Sequence, residues 1–242
     1  MSGHSKWSTI KHKKAKTDAQ KGKIFSKVSR EIMMAAKIGG DDPEMNPRLR
    51  LALQKAKEVN MPNDNVNRAI IKGAGNDSDA NLEEITYEAY GPHGVALLID
   101  TLTDNKNRTV PNIRAILTRC NGSLATSGAV SYLFNKKGFF LFSPETDEET
   151  IIELGLENGA DDIDTKSDGS IEVITATNHF EAVKTAFDTQ NIQYETAEIT
   201  MIPSTFVLLS ESESKAVISL IEKLEEDDDV QEIHANLDIN PE

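Results

Sequence analysis

At Asn76–Asn81 (NDSDAN), a polar linker, the chain changes both its hydrophobic period and its charge. Before this polar run, apolar residues recur with helical spacing. Ile24, Val28, Ile32 and Ala35 make one face of a helix expected over residues 17–38, closed by Gly39-Gly40. Asn46 is a good N-cap and Pro47 suits a first helical turn, so a second helix is expected over 47–59, burying Leu49, Ala52, Leu53 and Ala56. A third, over 63–72, would bury Val66, Ala69 and Ile70 before Gly73 and Gly75. Three short helices with tight connections predict a small antiparallel bundle. After the run the period shortens to that of strands, which makes Asn76–Asn81 the best domain boundary in the chain.

The same boundary separates opposite charges. Residues 1–40 hold ten Lys or Arg against two acids, Asp18 and Glu31. Up to residue 76 the count is sixteen against seven; from 77 to 242 it is ten against thirty-three. The overall charge of −14 therefore conceals a basic arm on an acidic body, the usual electrostatic footprint of a polyphosphate partner.

Beyond the boundary, strands are expected at 85–90 and 95–102 around the turn GPHG, then a helix at 110–119. Residues 138–143, 148–158, 162–166, 171–175, 180–189 and 194–202 alternate as βαββαβ, the ferredoxin-like order. A strand (206–209), a helix (215–225) and a strand (230–235) complete the chain. Neither 82–133 nor 204–240 covers a sheet alone. Three domains are expected: residues 1–76 as arm and bundle, 82–133 with 204–240 as a discontinuous α+β domain, and 134–203 inserted into it. Two consecutive α+β domains are the plainer alternative.

Enzyme signatures do not occur. There is no GxxxxGK[ST], GxGxxG or GxSxG, and the five histidines have no ligand spacing. Asp164–Gly169 opens like a calcium loop but fails at Lys166 and Thr175, and reads better as a hairpin turn. Cys120, the only cysteine, excludes an intrachain disulfide and reads as a small buried apolar residue. Glu225–Asp229 (EEDDD) reads as a solvated helix end. No cofactor, metal or small-molecule substrate is expected. No apolar run reaches the roughly eighteen residues of a membrane span, and the N-terminus lacks a signal's apolar region. A cytoplasmic protein without a membrane partner is expected.

The arm carries the chemistry. Lys6, Lys11, Lys13, Lys14, Lys16, Lys21, Lys23 and Lys27 fall within 22 residues, interleaved with His4, Trp7 and His12. Lysine neutralises phosphate as a point charge and releases counterions. Trp7, the only tryptophan, either stacks on a nucleobase or folds back as an anchor on the bundle. An acidic protein has no need of these cations for solubility. A second polar cluster, DNKNRT (Asp104–Thr109), is either a loop with a helix cap or an auxiliary contact through Asn105, Lys106, Asn107 and Arg108.

MSGHSKW (Met1–Trp7), KHKKA (Lys11–Ala15), KGKIF (Lys21–Phe25), NPRLR (Asn46–Arg50), NRAI (Asn67–Ile70), YEAYGP (Tyr87–Pro92), DNKNRT, MIPS (Met201–Ser204) and DDVQ (Asp228–Gln231) resemble, in order, the YebC/PmpR family. The resemblance implies an N-terminal helical domain and two ferredoxin-like α+β domains. It also implies a nucleic-acid partner. The family is named for transcriptional regulation through DNA binding; its mitochondrial relatives are translational activators, and bacterial members are linked to relief of ribosome stalling. Carried onto this chain, the binding candidates are the arm lysines, Trp7 and His12, then Arg48, Arg50, Arg68 and Lys72, with the DNKNRT loop as a second surface. The expected function is DNA-binding transcriptional regulation through the arm. The alternative is a translation factor seated on ribosomal RNA. Lysines that hold phosphate carry little base information, and no helix shows a recognition pattern, so the residues alone leave both open.

Overall fold

The computed structural model describes residues 21–75 and 82–239, apart from the Lys21 side chain. The described residues fall into two compact units, one of residues 21–131 with 211–235 and the other of 132–210 with 236–239.

The first unit begins with three helices, α1 (Lys21–Gly39), α2 (Pro47–Glu58) and α3 (Asn63–Ala74). Val28, Ile32, Ala35, Leu49, Ala52, Ala56, Met61 and Ala69 form their shared core. Half of these are alanines, so the helices approach closely. At Gly73 the approach is extreme, because a Cβ there would stand 2.3 Å from the Met33 carbonyl oxygen of α1. Asn46 fixes the α1–α2 corner. Its Oδ1 accepts from Leu49 N at 3.0 Å as the N-cap, while its Nδ2 donates to the carbonyls of Ala35 and Gly40, both at 2.8 Å.

The same unit contains β1 (Glu83–Tyr90), β2 (Ala96–Thr103), α4 (Lys106–Arg119) and β3 (Ser123–Leu124). Later chain returns α7 (Glu211–Glu225) and β9 (Val230–Ala235) to it. The antiparallel sheet runs β3-β1-β2-β9, with Tyr87 opposite Ile99 and Ile99 opposite Ile233. Its middle strand reads ALLIDTLT, and Leu97, Leu98 and Ile99 are buried there, as both-face coverage of a central strand requires. Ile113 and Leu117 of α4 and Val217, Leu220, Ile221 and Leu224 of α7 are buried as well. Glu88, inward on β1, is buried as a carboxylate accepting from the N–H groups of Gly128, Val130 and Ser131. Burial pushes its pKa up, but those donors prevail and hold it below the ordinary glutamate range.

The second unit orders β4 (Phe134–Phe142), α5 (Glu148–Glu157), β5 (Ala160–Thr165), β6 (Ile171–Thr175), α6 (Phe180–Thr189) and β7 (Thr196–Pro203). Its sheet runs β5-β6-β4-β7, all antiparallel, which is the ferredoxin-like strand order. Phe140, Phe142, Phe180 and Phe187 are fully buried, each contributing roughly 1.5–3 kcal/mol over exposure. Their rings meet at centroid distances of 4.9–6.5 Å.

The chain is thus mixed α and α+β, helical first and then sheet-containing. Two details differ from expectation. The strand at Val207–Leu209 (β8) joins neither four-stranded sheet; it pairs in parallel with an unexpected strand, Leu237–Ile239 (β10). Helix α4 starts at Lys106 rather than near residue 110, because Asn105 is its N-cap. Pro111 therefore lies in its second turn, where it removes one intrahelical bond.

Candidate nucleic-acid interface

Lys23, Lys27 and Arg30 fall at i, i+4 and i+7 on α1, which puts them on one face. That face lies on the turn after α7. Lys23 Nζ donates to the Glu226 carbonyl at 3.1 Å and Lys27 Nζ to the Glu225 carbonyl at 2.8 Å. Arg30 Nη1 donates to the carbonyls of Leu102 and Asp228. Lys27 thus caps the last residue of α7 and Lys23 the residue after it, while Arg30 holds the far side of the turn, so cations stand at the helix's negative end. Burial pushes the Lys27 ammonium pKa down, and neighbouring Lys23 adds to this; Glu225, Asp227 and Asp228 oppose it without reversing it. EEDDD is therefore not simply a solvated helix end.

Asp229, which follows the turn, is a buried hub with 3% of its side chain exposed. It accepts from Arg30 Nη1 at 3.0 Å, from Arg108 Nη2 at 2.9 and 2.8 Å, from Thr109 Oγ1 at 2.8 Å and from Thr103 Oγ1 at 3.2 Å. Burial alone would raise its pKa, but the donors Arg108, Thr109 and Arg30 hold it below the usual aspartate range. One carboxylate thereby ties the bundle (Arg30) to α4 (Arg108, Thr109) and β2 (Thr103).

This geometry redefines the DNKNRT cluster. Asn105 caps α4 by accepting from Arg108 N at 3.2 Å, and Arg108 also pairs with Asp104 at 2.8 Å. Arg108 is itself exposed, yet its guanidinium is committed to a buried partner. Lys106 lies 3.8 Å from Glu83, and Asn107 is exposed in the first turn. Arg48 is committed more completely. Its Nε and Nη2 donate to Glu31 at 2.8 and 3.2 Å, and its Nη1 and Nη2 to Glu84, linking α1, α2 and β1. Burial works against its charge, but the bonds to Glu84 and Glu31 raise its pKa above the ordinary guanidinium value. With its fork filled by two carboxylates, Arg48 serves the fold and is not offered to a phosphate.

Residues 5–76 match the TACO1/YebC protein N-terminal domain, and residues 82–237 match the TACO1/YebC second and third domain. The chain belongs to the TACO1/YebC family. It is 51% identical over its whole length to a probable transcriptional regulatory protein of Geobacter sp. strain M21, covering 98% of that protein. A probable transcriptional regulatory protein of Proteus mirabilis strain HI4320 is 49% identical over 242 residues, 96% of its length. The crystal structure of a conserved hypothetical protein from Aquifex aeolicus superposes with a TM-score of 0.87 at 43% identity, covering 98% of each chain.

In this TACO1/YebC chain the remaining candidates divide by position. Lys6, Trp7, Lys11, His12, Lys13, Lys14 and Lys16 lie outside the described residues, and Lys21 opens α1. Arg50 Nη1 donates to the carbonyls of Pro43 and Glu44 at 2.8 and 3.3 Å, bracing the α1–α2 loop. Arg68 and Lys72 lie exposed on α3 one turn apart; Arg68 bonds locally to the Asp64 carbonyl and Asn65. Arg30, Asp229 and Glu88 escaped the sequence reading. The i, i+4, i+7 spacing of Lys23, Lys27 and Arg30 was the available signal for the first. Nothing local marks Asp229 among five consecutive acids. Among the described residues no group of three or more His, Cys, Asp or Glu is placed to hold a metal ion, and no helix is long and apolar enough to cross a membrane.

Proposed function

We propose that the protein is a nucleic-acid-binding regulator of gene expression, acting on duplex DNA through its basic N-terminal arm as a cytoplasmic transcriptional regulator and not as an enzyme. The observation that carries this reading is the charge segregation: ten basic residues against two acids in residues 1–40 of a chain of net −14. Relatives about half identical over full length, called probable transcriptional regulatory proteins, support the regulatory part. Because Lys23, Lys27 and Arg48 bond within the fold, the reading rests on Lys6, Lys11, Lys13, Lys14 and Lys16, with Trp7 and His12. Arg50, Arg68 and Lys72 would extend the surface along the bundle. A three-domain division accompanies it: 1–76, 82–133 with 204–240, and 134–203.

A ribosome-associated translation factor is the second reading. It is favoured by the chemistry of the arm, since lysines hold phosphate without reading bases and structured RNA presents the same phosphates.

Deleting residues 1–20 removes five lysines and Asp18, taking the formal charge from −14 to −18. The truncated chain should stay folded by circular dichroism and lose most of its affinity for duplex DNA and RNA in a low-salt gel shift. Undiminished affinity would overturn the reading. Co-sedimentation of the full chain with ribosomes, set against its affinity for duplex DNA, separates DNA from ribosomal RNA as the partner.

A further inference from the structure

The lysines that extend the basic arm into α1 face an acidic turn of the same unit. Lys23 and Lys27 donate to the carbonyls of Glu226 and Glu225 at 3.1 and 2.8 Å. The Glu225 carbonyl is that of the last residue of α7 and the Glu226 carbonyl follows it, and five consecutive acidic residues, Glu225–Asp229, run from the helix end through the turn. To a lysine, carbonyl oxygens at the negative end of a helix, set beside carboxylates, offer acceptors in a field of negative charge, as a phosphate backbone does.

The contact has two unequal parts. Arg30 reaches the buried Asp229, which Arg108, Thr109 and Thr103 also hold, so this end is anchored. Lys23 and Lys27, at the outer end, bond to main-chain carbonyls, and the Lys23 bond is exposed. Exchanging a carbonyl for a phosphate keeps both ammonium groups paired and releases counterions from the nucleic acid. Arg30 meanwhile keeps the bundle in place.

We propose that the Glu225–Asp228 turn is an internal competitor for nucleic acid: it engages the ammonium groups of Lys23 and Lys27 in the free protein and yields them to phosphates when the arm is bound. This inference rests on the proposed nucleic-acid function and adds a regulatory contact to it. The turn lowers affinity for any polyanion. Only a ligand that also fills the arm gains enough to displace the turn, which filters out weak, non-specific contacts.

The test uses the full chain and a duplex DNA or a structured RNA of about twenty base pairs, by fluorescence anisotropy in moderate salt. One variant carries Glu225→Gln, Glu226→Gln and Asp228→Asn, leaving Asp227 and Asp229 in place because both hold the turn together. A control carries Glu149→Gln, Glu153→Gln and Glu157→Gln, the same charge change on α5. The turn variant should bind at least about tenfold more tightly than the control. Lys23→Ala with Lys27→Ala should cost several-fold more affinity in the turn variant than in the natural chain, because there the turn keeps its carbonyls but not the carboxylate charges that hold both ammonium groups against phosphate. Equal affinities of turn variant and control, or equal lysine costs in the two backgrounds, would overturn the competitor. Binding by none of the chains would overturn the nucleic-acid reading together with it.

Discussion

Asp229 is where the fold concentrates most on one side chain, and replacing it gives the sharpest test of the hub. In Asp229→Ala, five accepted hydrogen bonds from Arg30, Arg108, Thr109 and Thr103 are lost at once. Removing one partner of a buried ion pair costs about 3–5 kcal/mol, because charge is left facing a low-dielectric site. Here the two arginine side chains are 24% and 47% exposed, so water takes up part of the loss. The lower end of that range, about 3 kcal/mol, is therefore expected. For a chain of this size that corresponds to a fall in Tm of roughly 6–12 °C. Asp229→Asn keeps the volume and one acceptor oxygen and should lose less.

Urea or thermal unfolding followed by circular dichroism measures the effect, and pH supplies an independent check. The native pKa of Asp229 lies below its unfolded value, so the stabilisation is fully present above the unfolded pKa of about 3.9. It is lost as pH falls through the lower, native value. The difference between the natural chain and Asp229→Ala should thus be constant near neutrality and shrink below about pH 4. A loss under about 1 kcal/mol at pH 7, the range of an exposed pair, would refute the hub as a structural centre.

Three further outcomes follow from the bundle and the arm. Gly73→Ala gains about 1 kcal/mol of helix propensity but sets a Cβ 2.3 Å from the Met33 carbonyl, so α1 and α3 must part and a net loss of about 1–2 kcal/mol is expected in urea titration; a stabilised variant would contradict the close approach. Asn46→Ala removes an N-cap worth about 1 kcal/mol and strips donors from the Ala35 and Gly40 carbonyls, for a total near 3 kcal/mol. Asn46→Asp, which keeps the acceptor, should recover the cap portion alone. Lys13→Ala should weaken all DNA sequences alike and make the log–log salt dependence shallower by about one unit; a selective loss at one sequence would mean base readout.

Local patterns made most elements legible, and long-range contacts explain what was missed. The face Val28, Ile32, Ala35, the cap at Asn46 and the βαββαβ order each depend on near neighbours in sequence, so the residues declare them. The period alone starts α4 near residue 110, whereas Asn105 supplies its cap and adds a first turn, Lys106–Thr109, in which only Thr109 is buried. Strands β8 and β10 are three residues each and find each other across 30 positions, too short for any period to show. Charge deceived in the opposite direction. The sequence distinguishes a cation from an acid, but not a cation in solvent from one committed across nearly 200 positions, as Lys23, Lys27 and Arg30 are to 225–229. The net charge of the arm therefore overstates what the bundle can offer a partner.

The same distinction decides how the DNKNRT loop can be tested. Arg108→Ala looks like a surface change, yet it withdraws two bonds from buried Asp229, so lost ribosome association could come from a loosened hub. Lys106 and Asn107 are better probes. Both are exposed in the first turn of α4, and Lys106 lies 3.8 Å from Glu83. Replacing both with alanine should leave stability within about 0.5 kcal/mol. If the loop seats on structured RNA, the double variant should keep its affinity for duplex DNA and travel less with ribosomes in co-sedimentation. Unchanged behaviour in both assays would reduce the loop to a cap and a strut: Asn105 starting the helix and Arg108 holding Asp229.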